Sequence, residues 1–368
     1  MNPTIMHKTS VTDVHPITTL PDEIVSEILV RCLAPYPECP PISGPESPTN
    51  FLGVCRHWRM IALHSPNLWR GIRLAAHRRH PFGGFSDAIG LKQIDVLKSW
   101  LQRSGSCRLS LHLNFLGADD SSTDVYKALF NVVASERHRW EYLFIYIPPV
   151  QVQLLSGPVP ALVKSTVITN WKTERHVISF DNATLLRSVC FWNVSFGPDS
   201  FEWARLTSLS LLNVQATECI PVLAAAINLL QFRLYCSDRL LQNDVQITLP
   251  HLETIVLAGN LPPVSTSAES CKWLPSLTLP ALRNLEISEH RLGPLGVSCL
   301  RAFMARSNCH LEHLRITCIQ NEEIGLEAQC RSAFPAIATI RNERLKSEGC
   351  SHTEHWRTEE YWVQDSPN

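Results

Sequence analysis

The stretch LTSLSL, residues 206–211, places apolar residues at its first, fourth and sixth positions. The arrangement recurs as Trp140/Leu143/Ile145, Leu186/Val189/Phe191, Leu206/Leu209/Leu211, Leu229/Phe232/Leu234, Leu252/Ile255/Leu257, Leu282/Leu285/Ile287 and Leu311/Leu314/Ile316. From Leu186 onward successive copies begin 20 to 30 residues apart, and the longer gap after Trp140 has room for a degenerate copy near residues 163–168. Such a period predicts stacked units, because one strand and its return segment cannot bury their apolar sides alone.

The pattern resembles the leucine-rich repeat, L-x-x-L-x-L, and the resemblance implies an irregular solenoid with a parallel concave sheet over residues 106–340. The return segments beginning at Ile220 and Gly293 have helical character. The asparagine that the repeat carries after each strand is found only at Asn260, so that column is mostly missing. The alternative is a generic α/β domain with period-two strands. In either case we expect an α/β or α+β chain.

Period-two alternation assigns every second strand residue to an exposed concave face. The face would carry Tyr142, Phe144, Tyr146, Trp192, Leu212, Gln231, Arg233, Tyr235, Asn284, Glu286, His313, Arg315 and Thr317. Aromatic and arginine side chains are enriched at protein interfaces. The candidate residues for binding a protein substrate are therefore Trp192, Arg233, Tyr235, His313 and Arg315. The alternative at the start of the sheet is that another segment of the chain covers the early aromatic residues.

The first part of the chain predicts a helical hairpin. Pro21 suits a first helical position, and an apolar stripe follows to Leu33. A proline-rich loop ends that helix, and a second helix runs from Thr49 or Asn50 to the Ser65–Pro66 break. The second helix carries two apolar rows, more than so small a unit can enclose. The surplus row therefore predicts contact with a partner chain.

Three blocks of this hairpin, LPDEIVSEIL, VCRHWRMIA and SPNLW, resemble the F-box motif in the order that the motif requires. The family implies docking on the Skp-type adaptor of a cullin–RING ubiquitin ligase. Matched by position, the residues implied to contact the adaptor are Leu20, Pro21, Ile24, Ile28 and Val54. Cys55 and Trp58 are expected in the core. The chain departs from the motif in its longer proline-rich loop, which we interpret as a plain spacer rather than a P-x-x-P recognition site.

The predicted organisation follows from these motifs. A disordered N-terminus covers residues 1–15, and the F-box covers 16–74 with the proline-rich insertion at 34–48. A linker and an amphipathic helix occupy 75–105, where Leu91, Ile94, Leu97 and Leu101 recur at helical spacing and Gly105 marks a stop. The repeats span 106–340. A polar C-terminal tail or cap takes up 341–368.

The composition and the spacing of particular residues argue against several classes of function. The net charge of -1 gives no electrostatic footprint for nucleic acid or an anionic membrane. The longest apolar run, residues 220–230, is too short to span a bilayer, and the N-terminus has no apolar core of a signal peptide. The 13 cysteines form no C-x-x-C pair, which favours reduced thiols in the cytoplasm or nucleus. Cys309, His310, His313 and Cys318 do not have zinc spacing, so we expect no metal and no cofactor.

No nucleophile elbow, phosphate-binding loop or dinucleotide fingerprint occurs, so no catalytic residue is nominated. The resemblance implies a non-catalytic adaptor subunit of an SCF-type (Skp–cullin–F-box) ubiquitin ligase, which holds an unknown protein substrate on its repeats. Two alternatives remain open. One is an F-box scaffold protein that acts outside ubiquitination, and the other is an enzyme with a deep polar pocket.

Overall fold

A computed structural model describes residues 20–75, 87–115, 123–169, 177–235, 246–258, 273–292, 296–318 and 324–344. The chain has an α/β fold with parallel strands. It divides into two compact units. Unit 1 comprises Met1–Asn170 and Phe180–Leu185, and unit 2 comprises Trp171–Ser179 and Leu186–Asn368. The predicted disordered N-terminus and the tail beyond residue 344 lie outside the described residues.

Unit 1 begins with helix α1 (Asp22–Arg31), which confirms the first predicted helix. Its sequence suits the helix dipole, because Asp22 and Glu23 lie in the first turn and Arg31 in the last. Val25 and Leu29 are spaced by four residues and are both buried. Helix α1 therefore has one inward stripe and a long outward surface.

The predicted second helix is two helices, α2 (Phe51–Val54) and α3 (Arg56–Leu63). The break is at Cys55, whose backbone is extended, with φ -157° and ψ 172°. The Cys55 Sγ accepts a hydrogen bond of 3.4 Å from the Trp58 amide and so caps α3. Short cap-forming side chains favour such non-helical entry positions. The prediction of one uninterrupted helix is therefore wrong at this residue.

Four parallel strands of unit 1 pair in sequence order within the described residues: β1 (Gly71–Ala75), β2 (Leu109–Asn114), β3 (Trp140–Ile147) and β4 (Lys164–Thr169). Helices α4 (Asp87–Arg103) and α5 (Thr123–Ser135) connect the first three strands. The predicted strand around Leu109 and the degenerate copy near residues 163–168 are confirmed as strands. Strand β1 was not predicted.

Apart from a two-residue parallel pair, Ile247–Thr248 with Leu277–Thr278, the described residues of unit 2 carry seven parallel strands that again pair in sequence order. They are β5 (Ser188–Trp192), β6 (Ser208–Leu212), β7 (Gln231–Tyr235), β8 (Thr254–Ala258), β9 (Asn284–Ser288), β10 (His313–Cys318) and β11 (Thr339–Arg344). Helices lie between several of these strands: α6 (Ala216–Ala225), α7 (Trp273–Ser276), α8 (Glu289–Leu292), α9 (Gly296–Ser307) and α10 (Ile324–Ala333). Strand β11 crosses the predicted end of the repeats.

The register brings the repeated apolar residues side by side in the core of unit 2. One cross-strand row is Val189, Leu209, Phe232, Ile255, Leu285, Leu314 and Ile340. All seven side chains are buried. Successive side chains of a strand point to opposite faces, so this register fixes which residues face outward.

Asparagines follow two strands of unit 2, β5 and β6, one position earlier than the sequence interpretation placed them. Asn193 and Asn213 are buried, and both adopt positive φ, 60° and 54°. The Asn213 Nδ2 donates a hydrogen bond of 2.7 Å to the Asn193 Oδ1. Asparagine tolerates the left-handed region better than most residues. The column is therefore present at these two strand ends.

Candidate docking surfaces

The helices of unit 1 present an apolar surface outward. Ile24 on α1 and Val54 on α2 expose 49% and 58% of their surface. Pro21 is also exposed, and Leu20 and Ile28 are half-buried. We call these five residues the docking patch. All five are the residues that the F-box resemblance assigns to the adaptor, and each keeps accessible surface.

Packing between the helices holds the docking patch in place. The hydroxyls of Ser26 on α1 and Ser65, just after α3, lie 2.7 Å apart, and the Ser65 Oγ donates to the Ile61 carbonyl at 2.7 Å. The Arg59 Nε donates to the Leu52 carbonyl at 2.8 Å, which joins α3 to α2 across the break. The docking patch therefore lies on α1 and α2, and hydrogen bonds fasten both helices to α3 and the residue just after it.

Two residues near the docking patch differ from expectation. Cys55 is exposed rather than in the core, because it caps α3 from outside. Trp58 is half-buried, with its ring 6.4 Å from that of Phe51 in an edge-on arrangement. Met60 is 62% exposed and was not nominated. Met60 is adjacent to Ile61 in α3, and Ile61 faces inward. This position in the sequence was the available signal that Met60 faces outward.

The proline-rich segment 34–48 packs against the outward face of unit 1, so its interpretation as a plain spacer is wrong. The Tyr36 hydroxyl donates to the Glu141 carboxylate at 2.7 Å, and the Tyr36 ring meets the Tyr142 ring edge-on at 5.5 Å. Pro41 forms an isolated parallel bridge with Arg73 of the edge strand β1. The alternative that another segment covers the early aromatic residues is confirmed for Tyr142.

The outward face of unit 2 is a second candidate surface. Trp192, Leu212 and Tyr235 form one cross-strand row, and Ser210 and Arg233 are neighbours in the row beside it. Trp192, Arg233 and Tyr235 are half-buried, as is His313 farther along the sheet. Strand register therefore brings three of the predicted substrate-binding residues close together, and it places His313 several strands away.

The late part of that face is not open. Arg315 is only 4% exposed, and its guanidinium lies 3.5 Å from the carboxylate of Glu286, its partner in register on β9. Glu286 and Thr317 are buried too, as is Leu212 on β6. The prediction that these four residues are exposed is wrong. Alternation identifies the face to which a side chain points, but not whether that face is covered.

Two adjoining grooves lie in unit 1, of about 600 and 440 Å³. Both are lined by Gly105, Glu136 and Arg139. The Arg139 side chain is buried and bonds the Glu136 carboxylate at 2.9 Å and the Cys107 carbonyl at 3.1 Å. It also donates to the Gly105 carbonyl beyond α4. Arg139 is thus engaged in holding the end of α4.

Burial shapes the titration of several groups. Burial, followed by the hydrogen bond to Glu141, holds the pKa of Tyr36 well above its ordinary value. Burial also raises the pKa of the Cys39, Cys309 and Cys330 thiols. A raised pKa keeps a thiol protonated, and the protonated form is the poorer nucleophile and metal ligand. No group of three metal-ligating side chains occurs among the described residues.

In the part of the chain that the structure describes, no helix has both the length and the apolar character to cross a bilayer. A comparison with protein-family models finds no match for this chain, and a comparison with curated proteins finds none either.

Proposed function

We propose that this chain is a non-catalytic substrate receptor of an SCF-type ubiquitin ligase. Its first helices act as an F-box that docks on a Skp-type adaptor, and the adaptor connects the chain to a cullin–RING ligase. Its parallel strands act as a leucine-rich-repeat solenoid that holds a protein substrate. Ubiquitin transfer belongs to other subunits.

The observation that carries this proposal is the docking patch. Ile24 and Val54 leave about half of their surface in water, although Val25 and Leu29 on the same small helical unit are buried. An apolar side chain gains roughly 25 cal/mol for each Å² that a partner covers. Ile24 and Val54 are also among the residues that the F-box resemblance assigns to the adaptor, which supports this choice of partner.

The outward face of unit 2 supports the substrate-binding part of the proposal. Trp192 and Tyr235 lie two strands apart in one row, and Arg233 precedes Tyr235 on β7. Tryptophan, tyrosine and arginine dominate the energetics of many protein interfaces. A receptor of this kind works by proximity, since it raises the effective concentration of the substrate beside the ligase.

Copurification with a purified Skp-type adaptor tests the docking step. We expect Ile24→Asp to abolish capture, because the new carboxylate would be buried without a partner, at a cost of several kcal/mol. Ile227→Asp is the matched control, since Ile227 lies in unit 2 and is 48% exposed. The control should be captured like the native chain. Equal capture of both variants would overturn the docking assignment.

A cullin in the same purification separates two roles. If the native chain brings down the adaptor together with a cullin, it acts as a ligase receptor. Adaptor without cullin would instead favour a scaffold that works outside ubiquitination. If the chain is a ligase receptor, the Ile24→Asp variant should lose both proteins, because the cullin is reached only through the adaptor. If it is a scaffold, the variant should lose the adaptor.

A further inference from the structure

The helices that carry the docking patch are attached to the rest of unit 1 at Trp69, after the last helical turn. The Trp69 ring meets the Trp100 ring of α4 edge-on at 5.2 Å, and its Nε1 donates to the Ala62 carbonyl at 2.8 Å. The Arg103 guanidinium lies 4.6 Å from the centre of the Trp69 ring. This attachment is at one end of the helical unit.

A second attachment is made from within the proline-rich segment, at Tyr36. The Tyr36 hydroxyl donates to Glu141 at 2.7 Å, and the Arg70 guanidinium lies over the Tyr36 ring at 3.8 Å. The Tyr142 ring is 5.5 Å away. Glu141 is held on its other oxygen by Arg108 at 3.1 Å. Tyr36 is thus held by a hydrogen bond from its hydroxyl to Glu141, by the Arg70 guanidinium over its ring, and by the ring of Tyr142.

The residues that follow Tyr36 extend this attachment across the strands. The Ser110 Oγ on β2 donates to the Pro37 carbonyl at 2.5 Å, and the Cys39 thiol donates to the Ser110 carbonyl at 3.2 Å. At Gly71 on β1, an added Cβ would lie 3.1 Å from the Glu38 carbonyl oxygen and 3.1 Å from the Pro40 side chain. The segment therefore lies closely against β1 and β2, and a side chain at residue 71 would require Glu38 or Pro40 to shift by a few tenths of an ångström.

We propose that Tyr36 is a positioning residue, and that segment 34–48 clamps the docking helices in one orientation relative to strands β1–β3. A body held at a single point can rotate about that point in any direction, whereas a second, separate attachment leaves only rotation about the line that joins the two. The inference rests on the proposed function for its purpose: proximity catalysis needs the docking helices and the strands held at a defined distance. The clamp itself is a property of unit 1 and can be measured without a partner.

Distance distributions between two spin labels test the clamp in the full-length chain. The labels are carried by a non-canonical amino acid at Glu27 on α1 and at Lys127 on α5, both exposed positions of unit 1. Tyr36→Ala removes all three contacts, so we expect a broader distribution than in the native chain. Tyr36→Phe keeps the ring and loses only the hydroxyl, so its distribution should broaden less.

Glu38→Ala is the matched control, since its exposed side chain lies in the same segment, and it should give the native distribution. A native distribution in folded Tyr36→Ala overturns the clamp. If Tyr36→Ala does not fold, a native distribution in Tyr36→Phe overturns it, because Tyr36 would then serve stability alone. Adaptor capture by the native chain is measured in parallel. Its failure would reject the proposed function and leave the distance result standing.

Discussion

Ile24 and Val25 are adjacent in α1, yet Ile24 leaves 49% of its surface in water whereas Val25 has none exposed. A helix turns by about 100° per residue, so neighbours of the same apolar character can face solvent and core. Stability and partner binding should therefore depend on different residues of this one helix.

Truncation of one side chain on the inward face of α1 and of one on its outward face should separate these roles. Leu29 is fully buried, so Leu29→Ala should lower the free energy of unfolding by roughly 2–5 kcal/mol. Ile24→Ala removes an exposed side chain and should change it by no more than about 0.5 kcal/mol. Urea denaturation of the two variants measures the difference. Equal destabilisation would show that α1 does not have the proposed inward face.

Strand β7 allows the same comparison in unit 2. Phe232 is fully buried, and Phe232→Ala should cost about 3–5 kcal/mol of stability. Gln231 precedes it and is exposed, so Gln231→Ala should stay within about 0.5 kcal/mol. Thermal melts of the two variants measure these changes in stability. A reversed order of the two effects would mean that the strand register is shifted by one residue.

The strands of unit 2 could be predicted because their signal is local and repeated. Leu209, Phe232 and Ile255 each occupy the same place in a short pattern, and the structure aligns them in one row. The coverage of the outward face could not be predicted in this way. Whether Arg315 meets water depends on atoms distant in sequence, and alternation along β10 carries no information about them.

Two Glu–Arg pairs with the same i,i+3 spacing differ in burial, which gives a matched test of ion-pair energetics. Arg139, paired with Glu136, is buried and also bonds carbonyls beyond α4, so Arg139→Ala should cost about 3 kcal/mol. Arg205, paired with Glu202, is solvent-exposed, and Arg205→Ala should cost less than about 1 kcal/mol. Urea titrations at low and high salt compare them. Only the exposed pair should weaken with salt.

The raised pKa of Tyr36 predicts a loss of stability at alkaline pH. The folded chain holds the phenol proton more tightly than the unfolded chain, whose tyrosine titrates near 10.0. This contribution is complete below pH 10 and declines as the pH rises toward the folded pKa. Tyr36→Phe has no such proton, so its stability should fall less steeply above pH 10. Parallel slopes for both proteins would contradict the burial of this phenol against Glu141.

In the candidate site, too, features encoded in short stretches of sequence could be predicted, whereas contacts between residues distant in sequence could not. The residues of the docking patch could be nominated from the sequence because Ile24 and Val54 belong to short motif blocks. The attachment of Tyr36 to Glu141 joins residues 105 positions apart, and the proline-rich sequence around Tyr36 gave no sign of it. The break at Cys55 was also missed, since the helical spacing of apolar residues continues through it.

Hydrogen–deuterium exchange of the full-length chain, with and without a purified Skp-type adaptor, shows whether the first helices bind this partner. Small helical units exchange readily when they open, and a bound partner suppresses that opening. We expect the adaptor to slow exchange in α1, α2 and α3, while amides of β6 and β7 in unit 2 exchange at the same rate as before. An adaptor that leaves α1 unprotected, or that protects β6 and β7 instead, would contradict this expectation.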